Sequence, residues 1–202
     1  METSLIITTY NWPQALEMVL QSVLRQRQLP DEVIVADDGS SDSTKDVIDR
    51  FRAQIALPVH HVWQEDEGFR VARVRNLGAS KARGNYLIFV DGDMLLHPAF
   101  IRSHCVHRQP ECFLHGPRVL LSDELARDLL RGKRPPHFSV WQKGVTNRLN
   151  MLHNLPLSRL LSRRSSSWQS RACNLSMFRE AFEKVNGFNE DFVGWGKEDS
   201  EL

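Results

Sequence analysis

Residues 85–98 read NYLIFVDGDMLLHP. Tyr86 to Val90 is a run of strand-forming residues that ends in two carboxylates, Asp91 and Asp93, with only Gly92 between them. β-Branched and aromatic residues suit a pleated, buried surface. A strand covered on both faces reads as a continuous apolar run rather than an alternating one. Two acids at a strand tip repel each other, so the pair belongs either to a solvated turn or to a place where something positive sits.

The same grammar recurs upstream. SLIITTY (4–10) is a short apolar, β-branched run, and Pro13 after it suits the first turn of a helix carrying Leu16, Val19, Leu20, Val23 and Leu24 at helical spacing. EVIVADDGS (32–40) is a second strand breaking at Gly39. SDSTKDVIDRF follows, a helix with a Ser or Asp cap and Val47, Ile48 and Phe51 on one side. VHHVWQ (59–64) reads as a third strand, RVARVRNLGASKA (70–82) as a helix ending near Gly84, and YLIFV as the fourth strand. Strand and helix alternating in this way predict an α/β fold with a mostly parallel, Rossmann-like sheet flanked by helices.

In such sheets, ligands bind outside the carboxyl ends of the strands. Three polar tips fall there: Thr8-Thr9-Tyr10, Asp37-Asp38 and Asp91-Gly92-Asp93. A hard divalent cation, bound by one or two carboxylates and by substrate phosphates, resolves the repulsion. Gly92 lets the backbone approach a ligand closely. Singly, Asp37-Asp38-Gly39-Ser40 is also what a strand-ending turn with a helix cap requires, and Asp-x-Asp is also a common solvated pair. Their joint placement on one edge favours a ligand.

Composition narrows the class. The chain has 202 residues, 41% hydrophobic and 25% charged, with a formal net charge of +1. That fits a globular domain and argues against a general nucleic-acid binder. Cys105, Cys112 and Cys173 make no disulfide framework, so a reducing compartment fits. No signal peptide or membrane span is legible, and the expected location is cytoplasmic, with peripheral association at the inner face of the cell membrane as an extension.

The stretches IITTYNWPQALEMVLQSVLRQ, EVIVADDGSSDST, RNLGASKARGNYLIFVDGD and ACNLSMFREAFEKVNGFNEDFVGWGKEDSEL together resemble family 2 glycosyltransferases of the GT-A type. The resemblance runs over nearly the whole chain except about residues 122–165. HVWQEDEGFRVARVRNLGASKARGNYLIFVDGDMLLHPAFI is most similar to the subgroup containing the amino-terminal transferase domain of bacterial chondroitin polymerase, and GWGKED resembles a segment of β-1,4-galactosyltransferases. The resemblance implies one transferase domain, with residues 1–97 as the nucleotide-sugar half and 98–202 as the acceptor half carrying a basic insertion at about 122–165.

It also implies roles. Thr8 and Tyr10 border the nucleotide. Asp38 contacts the base or ribose, supported by Asp37. Arg75 reaches the diphosphate, with Arg70 and Arg73 as alternatives. Asp91 faces the ribose and the metal-bound water, and Gly92 borders the nucleotide. Asp93 is the direct ligand of Mn²⁺ or Mg²⁺. Trp195 packs against a sugar, Glu198 binds the acceptor, and Asp199 is the catalytic base. The partners implied are a nucleotide-sugar donor and a glycan or lipid-linked acceptor, in bacterial surface-polysaccharide or lipopolysaccharide synthesis, with inversion of configuration. Related transferases continue beyond the point that matches Leu202, so the expectation is a chain truncated at its C-terminus.

The chemistry makes matching demands. A departing diphosphate needs its charge neutralised, which a metal at Asp93 supplies. An attacking hydroxyl needs a carboxylate within hydrogen-bond reach, which Asp199 supplies; alone, Glu198-Asp199 is also a solvated helix start. FVDGDML also resembles the first motif of haloacid-dehalogenase-type phosphatases, although that motif normally opens the fold. A binding module that holds a nucleotide sugar without catalysis is the other rival. Residues 131–170 contain no Asp or Glu and eight Lys or Arg, which suits an arm near an anionic bilayer or phosphorylated acceptor and equally a solvated insertion. His104, Cys105, His107, Cys112 and His115 cluster in sequence, but their spacing fits no familiar zinc set. His60-His61 reads as an ordinary strand pair.

Overall fold

The computed structural model describes residues 2–133, 138–139, 141–151 and 172–192. The chain forms two compact units, Met1–His115 with Ser167–Leu202, and Gly116–Ser166.

In the first unit, β1 (Thr3–Thr9), α1 (Pro13–Leu24), β2 (Glu32–Asp37), α2 (Asp42–Arg52), β3 (Val59–Trp63), α3 (Val71–Lys81) and β4 (Tyr86–Asp91) alternate as the apolar runs dictate. They are followed by α4 (Phe100–His107) and β5 (Leu114–His115). The chain returns to this unit as β8 (Asn174–Phe178) and α6 (Arg179–Lys184). The six-stranded sheet has the order β3-β2-β1-β4-β8-β5. β1 pairs in parallel with β2 and β4, and β2 with β3. β8 runs antiparallel to both β4 and β5. Both faces are covered, which is why the strands carry no polar alternation. Leu5 and Ile7 pack with α1 and α2 residues such as Leu16, Leu20 and Ile48, while Ile6 between them packs with Ala72, Val74 and Ala79 of α3.

Helix ends follow local chemistry only in part. Pro13 occupies the start of α1, where its missing N–H costs nothing. Ser41 stands at the N-cap of α2, but its hydroxyl makes no capping bond and lies 3.0 Å from the Ser43 hydroxyl. α3 ends at Lys81, and Arg179 closes that end from 97 residues away by donating to the Ala79, Ala82 and Gly84 carbonyls.

β8 was not legible as a strand because it buries polar side chains. Ser176 Oγ lies 2.7 Å from the Tyr86 hydroxyl and 2.6 Å from His104 Nδ1, and His104 Nε2 lies 3.0 Å from Asn174 Oδ1. An amide oxygen only accepts, so Nε2 carries the proton, Nδ1 accepts from Ser176, and Tyr86 donates to Ser176. Burial pushes the His104 pKa down to about 4 and the Tyr86 pKa up to about 12. Within the histidine–cysteine cluster, His104 is committed to β8.

The second unit contains β6 (Leu120–Leu121) paired antiparallel with β7 (Val145–Thr146), with α5 (Asp123–Leu130) between them and a 3₁₀ turn at Arg148–Met151. Ser122 caps α5 by accepting from the Leu125 N–H. Trp141 is 85% exposed and Leu149 80%. Among the described residues, no helix is long and apolar enough to cross a membrane.

Candidate active site

The parallel register sets the three tips side by side. Thr9 pairs with Asp37 across β1 and β2, and Thr8 with Asp91 across β1 and β4. β1 is also where the strand order reverses: β2 and β3 continue to one side and β4 lies on the other. Such a switch point leaves a crevice outside the strand ends.

On the β2 side, the carboxylates are buried and already bonded. Asp37 Oδ1 accepts from the Ser40 N–H at 2.8 Å, and its Oδ2 lies 2.9 Å from His61 Nε2. His61 is thus more than a strand spacer, while His60 Nε2 stays 3.6 Å from Glu32, beyond hydrogen-bond range. Asp38 is 4% exposed; one oxygen accepts from Gln64 Nε2 and the other from the Arg70 N–H at 3.0 Å. Burial raises the Asp38 pKa; the Arg70 and Gln64 bonds oppose this, and the charges of Asp66 and Asp37 add to it.

Two half-exposed aromatic rings flank this tip. The Tyr10 hydroxyl donates to Asp66 at 3.0 Å, and Trp63 Nε1 donates to the Ser40 carbonyl at 3.1 Å. Asn11, in the left-handed region at φ 44°, accepts from the Ser41 N–H through its side chain, while its own N–H donates to Ser40 Oγ. These bonds lock the β1 tip to the β2 tip. Sequence reasoning assigned nothing to Trp63, Gln64 or Asp66. The fold brings Gln64 against Asp38, Asp66 against Tyr10 and Trp63 against Ser40, contacts between positions distant in sequence.

On the β4 side, the Gly92 N–H donates to the Thr8 carbonyl at 2.6 Å, and the Met94 N–H closes a turn on the Asp91 carbonyl at 3.0 Å. A Cβ at Gly92 would meet the Thr8 carbonyl oxygen at 2.8 Å. The missing side chain therefore serves contact with β1, in addition to any ligand. Arg75 is 3% exposed, with Nη2 2.9 Å from Asp91 Oδ1 and Nε 3.4 Å from Thr8 Oγ1. The resemblance implies that Arg75, or else Arg70 or Arg73, reaches the diphosphate; in the fold the buried Arg75 side chain lies against Asp91. Asp93 is exposed in the turn beyond. Trp195, Glu198 and Asp199 lie outside the described residues.

Asp91 and Asp93 offer hard carboxylate oxygens, the donor type that Mn²⁺ and Mg²⁺ prefer. Asp91 has one oxygen on Arg75 and is about one-third exposed, so this donor set fits a divalent cation that takes its other ligands from phosphate and water.

This sheet order, with the switch at β1/β4 and an Asp-x-Asp turn at the tip of β4, is the GT-A arrangement. A mannosyltransferase of Pyrobaculum calidifontis, solved with GDP-Man and Mn²⁺, has a similar fold: TM-score 0.64 at 20% identity, over 98% of this chain and 50% of that one. The sequence profile described as Glycosyl transferase family 2 matches residues 4–105, half of the chain, and the chain belongs to that family. A second profile, described as the N-terminal domain of galactosyltransferase, matches residues 157–202. Validoxylamine A glucosyltransferase of Streptomyces hygroscopicus subsp. limoneus is 33% identical over 98% of this chain and 46% of its own length. Chondroitin synthase of Escherichia coli is 29% identical over 98% of this chain and 31% of its own. The chain thus spans half or less of the length of these curated relatives.

Proposed function

We propose that the protein transfers a sugar, with inversion, from a nucleoside-diphosphate donor, in the first instance a UDP-sugar, to a hydroxyl of a glycan or lipid-linked acceptor. The observation that carries this reading is the register of the three tips, which gathers Thr8, Asp37, Asp38 and Asp91 along one edge of a family 2 fold. The relatives support it: one is named as a glucosyltransferase and another as a chondroitin synthase.

In this reading, Tyr10 and the Asp37–Asp38 tip hold the nucleoside. Thr8 and the Asp91–Gly92 turn border the ribose and diphosphate. Arg75 supplies positive charge next to that group through Asp91 rather than from the open surface. Asp93, with Asp91, would hold Mn²⁺ or Mg²⁺, which when bound neutralises charge on the leaving diphosphate. Trp195 packs on a sugar, Glu198 aligns acceptor hydroxyls, and Asp199 takes the proton of the attacking one. The setting proposed is bacterial surface-polysaccharide or lipopolysaccharide assembly, with the basic stretch 131–170 favouring contact with an anionic membrane face.

A panel of UDP- and GDP-sugars incubated with Mn²⁺ tests the reading. Nucleoside-diphosphate release supports it. Phosphate release from the panel favours a phosphatase, and binding without turnover favours a non-catalytic module.

A further inference from the structure

His61 stands on β3 with its ring against the tip of the neighbouring strand. Its Nε2 lies 2.9 Å from Asp37 Oδ2, while Asp37 Oδ1 accepts from the Ser40 N–H at 2.8 Å. A carboxylate oxygen accepts, so Nε2 carries the proton and donates. The Asp37 side chain is 1% exposed and that of His61 14%. Without His61, a buried carboxylate oxygen would lose this donor, and a buried acceptor left unpaired costs more than the bond itself contributes.

Ser40 is where three strands are tied together. Its Oγ accepts from the Asn11 N–H at 2.8 Å, just past the tip of β1, and the Ser41 N–H donates back to Asn11 Oδ1 at 3.0 Å. The Ser40 carbonyl accepts from Trp63 Nε1 at 3.1 Å. His61 and Trp63 are two residues apart on β3 and so share one face of it. That strand therefore grips Asp37 through one ring and Ser40 through the other. Gly39 makes the bend between Asp38 and Ser40 at φ 96°, and the Asp38 N–H donates to the Thr9 carbonyl at 2.9 Å. A chain of bonds, His61–Asp37–Ser40–Asn11, thus runs from the edge strand of the sheet to the residue that follows Tyr10.

We infer that His61 is a positioning residue for the nucleoside end of the site: through Asp37 it holds Ser40, and through Ser40 the tips of β1 and β2, in the arrangement that a nucleoside meets at Tyr10 and Asp38. The inference rests on the proposed function for the identity of the ligand. In that reading His61 itself contacts neither donor nor metal.

Two amides of different reach separate the bond from the bulk of the ring. His61→Gln can place an N–H where Nε2 stands, and His61→Asn is one methylene too short. Calorimetric titration with Mn²⁺ should show UDP weakened about tenfold or more in His61→Asn and within about threefold of wild type in His61→Gln. Inorganic diphosphate should bind all three proteins within about twofold. Hydrogen exchange at the Asn11, Ser40 and Ser41 amides should quicken at least about tenfold in His61→Asn, while the amides of β4 keep their protection. Ser40→Ala breaks the chain one bond further on and should show the same selective loss of UDP, which supplies the reading if a variant at position 61 fails to fold. Unchanged UDP affinity in His61→Asn, or in Ser40→Ala where that variant stands in, overturns the inference. Equal losses in His61→Asn and His61→Gln, or for UDP and diphosphate, overturn it too. A wild-type protein that binds no nucleotide would overturn the proposed function instead, and exchange at the three amides would still decide whether His61 holds the tips.

Discussion

Arg75 and Asp91 form an ion pair at 2.9 Å, with the arginine buried and the carboxylate at the lip of the crevice. The pair joins α3 to the tip of β4 and sets the arginine's positive charge directly against the Asp91 carboxylate.

Removing that charge should destabilise the fold and the site together. Arg75→Met leaves Asp91 without this partner, and a cost of about 2 kcal/mol is expected, below the roughly 3–5 kcal/mol of a fully buried pair because Asp91 is partly solvated. Arg75→Lys keeps the charge but not the fork, so it should recover part of the loss. Urea denaturation of the two variants measures this, and equal stability of Arg75→Met and wild type would show that the pair contributes nothing.

Acid should weaken the fold through His104. Its folded pKa of about 4 lies below the ordinary histidine value of about 6.5, so the unfolded chain takes up the proton first. This contribution is complete above pH 6.5 and is lost as pH falls toward 4, amounting to about 3 kcal/mol. Asp38, whose pKa is raised, acts with the opposite sign, because its protonation on acidification relieves a buried charge. Glu32, whose pKa is lowered, contributes stability that is present above the ordinary glutamate value of 4.5 and is lost as pH falls from there through its folded pKa: burial opposes the shift, but bonds from Ser4, Arg83 and Gly84 outweigh it. Denaturation of wild type and His104→Asn between pH 7 and 5 measures the histidine's share, and the variant's profile should be flatter there.

Asp38→Ala should weaken UDP at least about tenfold more than it weakens inorganic diphosphate, if the β2 tip holds the nucleoside. The substitution also frees Gln64 and the Arg70 N–H, which now bind the carboxylate. Equal losses for both ligands would give Asp38 a purely structural role in tethering the 64–70 loop.

Asp199→Asn should leave donor binding intact while kcat falls by about 10²–10⁴, the range for loss of a general base. Glu198→Gln should act mainly on acceptor KM, since its proposed role is to align hydroxyls. Near-normal kcat in Asp199→Asn would send the search for the base elsewhere.

The sheet and its three tips were legible because β1, β2 and β4 are buried on both faces and announce themselves as apolar runs ending in polar residues. β8 was not, since Asn174 and Ser176 look like surface residues until His104 and Tyr86 pair with them. The acidic candidates were legible as residue types, but their partners were not. Arg75 on Asp91, Gln64 on Asp38 and Asn76 on Phe188 all join positions distant in sequence, and no local spacing encodes such pairs. For the same reason the partner of Arg75, the Asp91 carboxylate, could not be read from the sequence.

The central claim is that the strand tips bind a nucleoside diphosphate through a divalent cation at the Asp91–Asp93 turn. Calorimetric titration of UDP into wild type and Asp93→Ala, with Mn²⁺ and with chelator, tests it most directly. Wild type should bind UDP at least about tenfold more tightly with Mn²⁺, and Asp93→Ala should lose that dependence while Asp38→Ala keeps it. If Asp93→Ala binds UDP with the same Mn²⁺ dependence as wild type, the cation site is not at this turn and the account is wrong.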